Sequence, residues 1–319
     1  MQIIQDLDTF AVEGKCAVAI GKFDGIHIGH QALLKRILDM KEKGMQAVVF
    51  TFSPSPEEFF RGISLPVIDT LDEKRENFRK MGIDILIEYP LTKESAAVSP
   101  EDFMQTILLD KLHAGYVVSG TDLSFGDKGR GNSQMLSAFA KEHFFVYEQI
   151  DKICIKVEQD EREVSSSAVR SAVAKGDMEL VIQMLGRPYR IEGEVVHGRA
   201  LGRTIQVPTV NIIPQKQKLL PPKGVYATIS NFDGRNIMGI TNIGCKPTVS
   251  QKNEIGVETH LFDFDEEIYG EKVVTQLLHF LRPEMRFDSL EALVTQLRQD
   301  AAAGRAYFGD ICQNITNIM

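Results

Sequence analysis

Tryptophan is absent from this sequence, cysteine is scarce at four residues, and positive charge is in deficit, with 36 lysines and arginines against 44 aspartates and glutamates. Each shortage excludes something. Cys16, Cys154, Cys245 and Cys312 stand far apart with no C-x-x-C spacing, which argues against a zinc or dithiol redox site and for reduced structural thiols. The formal net charge of -8 argues against a general nucleic-acid binder, because a phosphate backbone is held by an excess of clustered lysine and arginine. No run of apolar residues approaches the ~18 of a membrane span. The first 15 residues include Asp6, Asp8 and Glu13 and hold no apolar core of signal-peptide length. A cytoplasmic protein with neither a nucleic-acid nor a membrane partner is expected. The pattern G-x-x-x-x-G-K-[ST] is missing too, so any phosphoryl transfer must use a different phosphate cradle.

What remains is ordinary globular material, 43% hydrophobic and 25% charged, in a chain of 319 residues that can bury two cores. From Ala17 to about Leu185, short apolar runs alternate with helical segments, the rhythm of a parallel sheet flanked by helices. The runs Ala17 to Ile20, Ala47 to Phe52, Ile83 to Ile87, Tyr116 to Ser119 and Phe144 to Gln149 read as strands, largely unalternated and so buried on both faces. Thr70 with Glu73 forms a capping box, and Ser99 before Pro100 marks another helix start. After Gly186 the pattern changes to strand-like pieces such as Ile191 to Val196, Val225 to Ser230 and Ile237 to Thr241. Asp233-Gly234 between two of them favours a tight hairpin turn. An antiparallel barrel or sandwich is expected there. A terminal helix closes it, with Asp288 as cap, Glu291 reaching back, and Leu290, Leu293, Val294 and Leu297 on one apolar stripe. The periodicity thus divides the chain into residues 1–185 and 186–319.

Directly after the first of those strands comes Gly21-Lys22-Phe23-Asp24-Gly25-Ile26-His27-Ile28-Gly29-His30, leading into an amphipathic helix. A strand-to-helix turn of this kind binds phosphate: Gly25 and Gly29 let a nucleotide approach the backbone, and the helix N-terminus offers amides and a positive dipole end. His27 and His30 can point at the same phosphates. In the second half, Thr209 and Asn211 put a hydroxyl and an amide oxygen on one face of a strand, which taken alone is common strand chemistry.

The first segment resembles the H-x-G-H motif of the α/β-phosphodiesterase nucleotidyltransferases, which transfer AMP. Val164-Ser165-Ser166-Ser167-Ala168-Val169-Arg170 resembles the second motif of their flavin branch, I-S-S-T-x-x-R. The resemblance assigns His27, His30 and Arg170 to catalysis, and Gly21, Phe23, Asp24, Gly25, Gly29, Ser166 and Ser167 to ATP. Gly120 to Asn132 resembles the flavin-side loop of bacterial FAD synthetases, which points to Gly120, Asp122, Phe125, Gly126 and Asn132, with Phe125 standing in for an aromatic usually found at Leu123. Thr51 to Pro56 resembles a segment that generally ends Pro-His-Pro, and Ser55 replaces that histidine.

His197 to Asn211 resembles the ATP loop and P-T-A-N motif of riboflavin kinases, giving Gly198, Gly202, Arg203 and Thr209 to ATP and Thr209 and Asn211 to the metal. Gly224 to Ala227, Asn242 to Val249, Val257 to Leu261 and Tyr269-Gly270 continue that pattern in order. They place Glu258 at the catalytic base position. The chain therefore resembles the bacterial bifunctional riboflavin kinase and FAD synthetase family over nearly its whole length. The resemblance implies a Rossmann-like nucleotidyltransferase domain followed by an antiparallel β-barrel kinase domain. It also implies riboflavin, FMN and ATP as substrates, Mg2+ as cofactor, and FMN and FAD as products. Gln206 and Val207 stand where the family usually has Gly-Phe, and they motivate a second reading, an FMN adenylyltransferase whose barrel only binds flavin.

Overall fold

In a computed structural model of the chain, residues 1–6, 10–197, 209–246 and 254–312 are described. The chain divides into two compact units, Met1–Ser166 and Ser167–Met319.

The first unit is built on a parallel sheet of β1 (Gln2–Ile4), β2 (Cys16–Ile20), β3 (Gln46–Ser53), β4 (Ile85–Pro90), β5 (Ala114–Gly120) and β6 (Val146–Ile150), in the order β1-β4-β3-β2-β5-β6. Every residue of β2 is buried. Its side chains alternate between two layers: Val18 and Ile20 join Val48, Phe50, Phe103 and Phe125 on one face, while Ala17 and Ala19 join Val49, Phe23, Leu34 and Phe78 on the other. That is why these strands read as continuous apolar runs. The capping box expected at Thr70 and Glu73 opens helix α3 (Leu71–Met81), after α1 (Ile28–Asp39) and α2 (Pro56–Arg61). Ser99 caps the helical stretch at Pro100 as expected.

The order of strands decides where a ligand can sit. β2 lies between β3 and β5, and the chain leaves β2 toward β3 on one side while β5 flanks it on the other. A crevice opens at such a switch point beyond the carboxyl ends of the strands. The H-x-G-H segment follows β2 and the flavin-side loop follows β5, so the two motifs share that crevice.

The second unit begins with the helix Ser166–Lys175, which starts on the last residue of the first unit, and the helix Met178–Leu185, which packs against the barrel strands Tyr189–Val196 and Lys272–Pro283. The compact units consequently part ahead of the change in periodicity near Leu185. The barrel comprises β9 (Tyr189–Val196), β10 (Val210–Ile212), β11 (Gly224–Phe232), β12 (Arg235–Lys246), β13 (Glu254–Leu261) and β14 (Lys272–Pro283), closed in the order β10-β13-β12-β11-β14-β9 by antiparallel pairing of β9 with β10. Asp233 (φ 48°) and Gly234 (φ 71°) make the two-residue turn between β11 and β12.

Inside the barrel Thr241 hydrogen-bonds both Thr228, at 2.8 Å, and Thr259, at 2.9 Å, so buried hydroxyls satisfy one another. The closing helix, Leu290–Cys312, is capped by Ser289 and not by Asp288: the Ser289 hydroxyl accepts from the Ala292 N–H at 3.2 Å. Leu290 also leaves the expected stripe, at 49% exposure. The contact runs instead through Phe308, which packs with Val225, Ala227, Ile240 and Phe262, and through Asp300, whose carboxylate takes Arg282 at 2.7 and 2.6 Å.

Candidate active sites

The turn between β2 and α1 is held in an unusual backbone. Phe23 (φ 50°), Gly25 (φ 81°) and Ile26 (φ 40°) all take left-handed angles. The first and last are held there by complete burial of their side chains. Gly25 is required by space as well, since a Cβ would lie 2.8 Å from Ile68. Asp24 braces the turn: its Oδ1 accepts from the Ile68 N–H at 3.0 Å, and its carbonyl accepts from the Ser166 hydroxyl at 2.9 Å. Ser166 of the second motif is thereby brought to the first. Gly21 donates its N–H to the Phe50 carbonyl at 3.1 Å, continuing the sheet into the turn.

His27 caps α1. Its Nδ1 accepts from the His30 N–H at 3.3 Å, so the ring carries its proton on Nε2 and presents a donor. A Cβ at Gly29 would sit 3.1 Å from that Nδ1, so glycine lets the imidazole lie over the helix start. The His30 ring stacks on His27 with centroids 3.7 Å apart and meets Phe23 at 5.1 Å. Burial pushes the His27 pKa down to about 4, although the Asp122 carboxylate of the flavin-side loop pulls the other way. His30 is held well below the ordinary value, first by burial and then by the neighbouring charges of His27 and Lys74. Burial thus keeps both rings neutral near neutral pH. An unfolded histidine takes up its proton near 6.5, whereas His27 accepts one only at about 4. The unfolded chain binds more protons between those values, so stability should fall as pH drops through them. Thermal melts from about pH 7 to about pH 5 measure this on the same linkage. A melting temperature that stays level, or a His27→Gln variant equally acid-sensitive, would contradict it.

In the flavin-side loop, Gly120 ends β5 and Asp122 is exposed beside it. Phe125 departs from expectation. Its ring is 3% exposed, lies 5.2 Å from Phe103, and has Gly131 so close that a Cβ there would fall 2.6 Å from the ring. Backbone hydrogen bonds between Phe125 and Gly131 in both directions, 3.1 and 2.8 Å, clamp the loop. Phe125 is thus a core residue that shapes the loop, and its ring has no free face on which a flavin could stack. Gly126 takes φ 70° against Pro100, and Asn132 caps the helix Ser133–Glu142 through Oδ1, accepting from Gln134 and Met135 N–H at 3.0 Å. Ser55 closes a capping box with Glu58 at the start of α2. Ser167 and Arg170 lie further along the helix Ser166–Lys175, in the second unit.

The barrel gathers a second cluster. Asn211 on β10 pairs with Glu258 on β13, Glu258 with Asn242 on β12, and Asn242 with Val225 on β11, so these side chains share one face of adjoining strands. Thr209 stands just before β10, on the same face as Asn211, and its hydroxyl donates to Glu258 Oε1 at 2.6 Å. Asn211 is 5% exposed, whereas Thr209 and Glu258 are half-buried. Three residues separated by up to 49 positions therefore meet. Gly198, Gly202 and Arg203, with Gln206 and Val207, lie outside the described residues. Asn242, which opens one of the segments matching the kinase pattern, joins the cluster, and Glu284 is an addition that sequence reasoning missed: a Cβ at Gly244 would lie 2.5 Å from Glu284 Oε1 and 3.3 Å from Asn242 Nδ2. No motif spacing marks Glu284, which reaches the site from β14's end. Among the described residues no group of three or more His, Cys, Asp or Glu side chains is arranged to hold a metal ion alone, and no helix is long and apolar enough to cross a membrane.

Two family models cover this architecture, one for FAD synthetase over residues 10–168 and one for riboflavin kinase over residues 185–308. The chain is 35% identical to a bifunctional riboflavin kinase/FMN adenylyltransferase of Haemophilus influenzae, over 97% of this chain and 99% of the relative. The chain belongs to that family. A protein of the same description from Listeria monocytogenes is 35% identical over 92% and 93% of the two chains, and one from Escherichia coli 32% identical over 96% of each. Among solved structures, one described as a macrolide-efflux protein from Streptococcus pneumoniae matches 95% of this chain and 98% of its own with a TM-score of 0.82 at 26% identity. Like the family, this chain is a bifunctional enzyme of flavin cofactor synthesis. It phosphorylates riboflavin to FMN with ATP and adenylylates FMN to FAD. The match to the kinase model over the barrel supports this reading over that of a single-activity adenylyltransferase.

Proposed function

We propose that the first unit's crevice transfers AMP and that the barrel cluster transfers the γ-phosphoryl group. The observation that carries this assignment is that each compact unit assembles its own polar cluster, His27 with His30 in one and Thr209, Asn211 and Glu258 in the other. In the first reaction an oxygen of the FMN phosphate attacks the α-phosphorus of ATP, the bond to the β-phosphate oxygen breaks, and pyrophosphate leaves with the electron pair. His27 donates from Nε2, and α1 offers its N-terminal amides to the same phosphates. The Ser166 hydroxyl, tied to the Asp24 carbonyl, stands on the side where the departing pyrophosphate is held. Gly120, Asp122, Gly126 and Asn132 form the flavin side. The nucleophile is already an anion, so no base is needed.

In the second reaction Glu258 takes the proton from the riboflavin 5'-hydroxyl as its oxygen attacks the γ-phosphorus, and ADP departs. The Thr209 hydroxyl donates a hydrogen bond to Glu258 Oε1 and keeps its oxygen lone pairs for a cation, with Asn211 on the same strand face. This pair of hard oxygens fits Mg2+ that arrives with ATP. Mg2+ there would neutralise charge on the transferring phosphates. Gly198, Gly202 and Arg203 complete the ATP loop in this reading, and an enzyme that consumes ATP in this way is expected to work in the cytoplasm.

Chromatography of the flavins formed from riboflavin, ATP and Mg2+ tests both halves together, with FMN appearing first and FAD after it. Accumulation of neither product would overturn the assignment. Thr209→Ala and Asn211→Ala should each raise the Mg2+ concentration needed for half-maximal FMN formation about tenfold, the loss of one charge-assisted contact. Adenylylation of supplied FMN should hardly change. An unaltered Mg2+ dependence would remove the pair from the metal.

A further inference from the structure

We propose that Lys74 is a further ATP-binding residue of the adenylyltransferase site, its ammonium group meeting the triphosphate beside the His27 and His30 rings. The proposal rests on the adenylyl-transfer reading of that crevice. Its support begins with the placement of α3. Thr70 caps the helix reciprocally with Glu73, at 3.3 and 2.8 Å, and both residues are buried. The residue two before that cap, Ile68, is tied to Asp24 and packs on Gly25, so the start of α3 is fastened to the H-x-G-H turn. Lys74 lies in the first turn. Phe78, four residues on and hence on the same face, meets Phe23 edge-on at 5.7 Å, and Phe23 meets His30. The face of α3 that carries Lys74 is the face turned to His30.

The electrostatics there are incomplete. Asp24, Asp69 and Glu88 all act on Lys74 through space, yet among the described residues none closes an ion pair with it or accepts a hydrogen bond from its ammonium. Each has a carboxylate oxygen committed elsewhere, although Asp69 Oδ1 is itself buried without a hydrogen-bond partner. Glu88 takes Arg75 at 2.9 and 2.5 Å and Gln5 at 2.7 Å, Asp69 Oδ2 accepts from Asn77 at 3.1 Å, and Asp24 Oδ1 accepts from the Ile68 N–H. Burial is the main reason that the Lys74 pKa lies below its ordinary value, and Arg75 adds to the effect against the three carboxylates. Beside it, His30 Nδ1 is shut from solvent with no hydrogen-bond partner. A largely buried ammonium without a paired anion is costly. Two polar groups left open at one place, next to a helix N-terminus, fit a polyanion, and a triphosphate would engage both. As the bond from the α-phosphorus to the bridging oxygen breaks, negative charge moves onto pyrophosphate. Lys74 stays protonated and neutralises it.

The test uses the full chain with Lys74→Met, Lys74→Gln and Lys74→Arg, and reads FAD formation from FMN at varied ATP, with riboflavin phosphorylation in the same preparations as control. We expect Met and Gln to raise KM for ATP in FAD formation about 10- to 100-fold, the worth of a contact to a charged group, and Arg to restore most of the loss. Kinase kinetics should stay as in wild type, and the melting temperature without ligand should not fall, since the unpaired ammonium is itself costly. In wild type KM for ATP should rise at alkaline pH as Lys74 deprotonates among Asp24, Asp69, Glu88, Arg75 and His30, and in Lys74→Arg it should not. Wild-type kinetics in Lys74→Met, or a fall in melting temperature with normal ATP dependence, would overturn the role. Were Lys74→Met to unfold, the Gln and Arg variants decide by the same KM comparison. A wild-type enzyme that forms no FAD from FMN would instead overturn the underlying assignment of the crevice.

Discussion

Alanine at His27 or His30 is expected to remove most FAD formation from FMN, by about 10² to 10³ in rate, the usual effect of losing a preorganised donor to developing phosphoryl charge. Formation of FMN from riboflavin should persist, because the histidines stand in the first unit and the Thr209, Asn211 and Glu258 cluster in the second. His27 has a second duty that must be separated from the first. Its Nδ1 caps α1, and losing such a cap costs about 1 kcal/mol. His27→Asn keeps an acceptor for the His30 N–H, since asparagine is a good N-cap, but removes the imidazole. If adenylyl transfer depends on the ring, the Asn variant should be as slow as Ala while folding as well as wild type. Recovery of FAD synthesis in His27→Asn would reduce His27 to a cap. Loss of both activities in a folded variant would end the division of labour between the units.

Glu258→Gln is expected to lower riboflavin kinase turnover by about 10² to 10⁴, the range of general-base assistance, with substrate binding largely kept. The substitution is close to isosteric, and the amide oxygen can still accept from the Thr209 hydroxyl, so the β10 to β13 pairing that aligns Asn211 with residue 258 is preserved. What disappears is the basic oxygen. FAD synthesis from supplied FMN serves as the internal control and should remain near wild type. Turnover within a factor of about three of wild type would refute the base role on the same scale. Positioning would then carry the step.

Several features were legible in the chain because their causes are local. The H-x-G-H turn, the capping boxes and the Asp233-Gly234 hairpin depend on backbone sterics and on hydrogen bonds within a few residues, and each stands where its residues require. Unbroken apolar runs marked β2 and β3 because both faces of a central parallel strand are covered. The misreadings have equally definite causes. Phe125 was indistinguishable from a flavin platform until its contacts with Phe103 and Gly131 put it in the core. At the closing helix, Asp288 and Ser289 are both good caps, and only the backbone geometry selects Ser289. The short strand β1 and the hairpin of β7 (Cys154–Val157) and β8 (Asp160–Glu163) went unread, since three- or four-residue segments carry too little periodicity.

The sequence by itself determined the family and the α/β half followed by the antiparallel half, and it singled out His27, His30, Thr209, Asn211 and Glu258 as candidates, because motif chemistry is written in neighbouring positions. Only the tertiary structure decided that the loops after β2 and β5 share one crevice, that β9 and β10 close the barrel, and that the Thr209 hydroxyl hydrogen-bonds Glu258. It also decided that Lys74 faces His30 with no ion pair among the described residues. Those outcomes rest on strand order, register and burial among residues far apart in the chain. Local propensity does not encode them, since each is the result of packing all the elements at once.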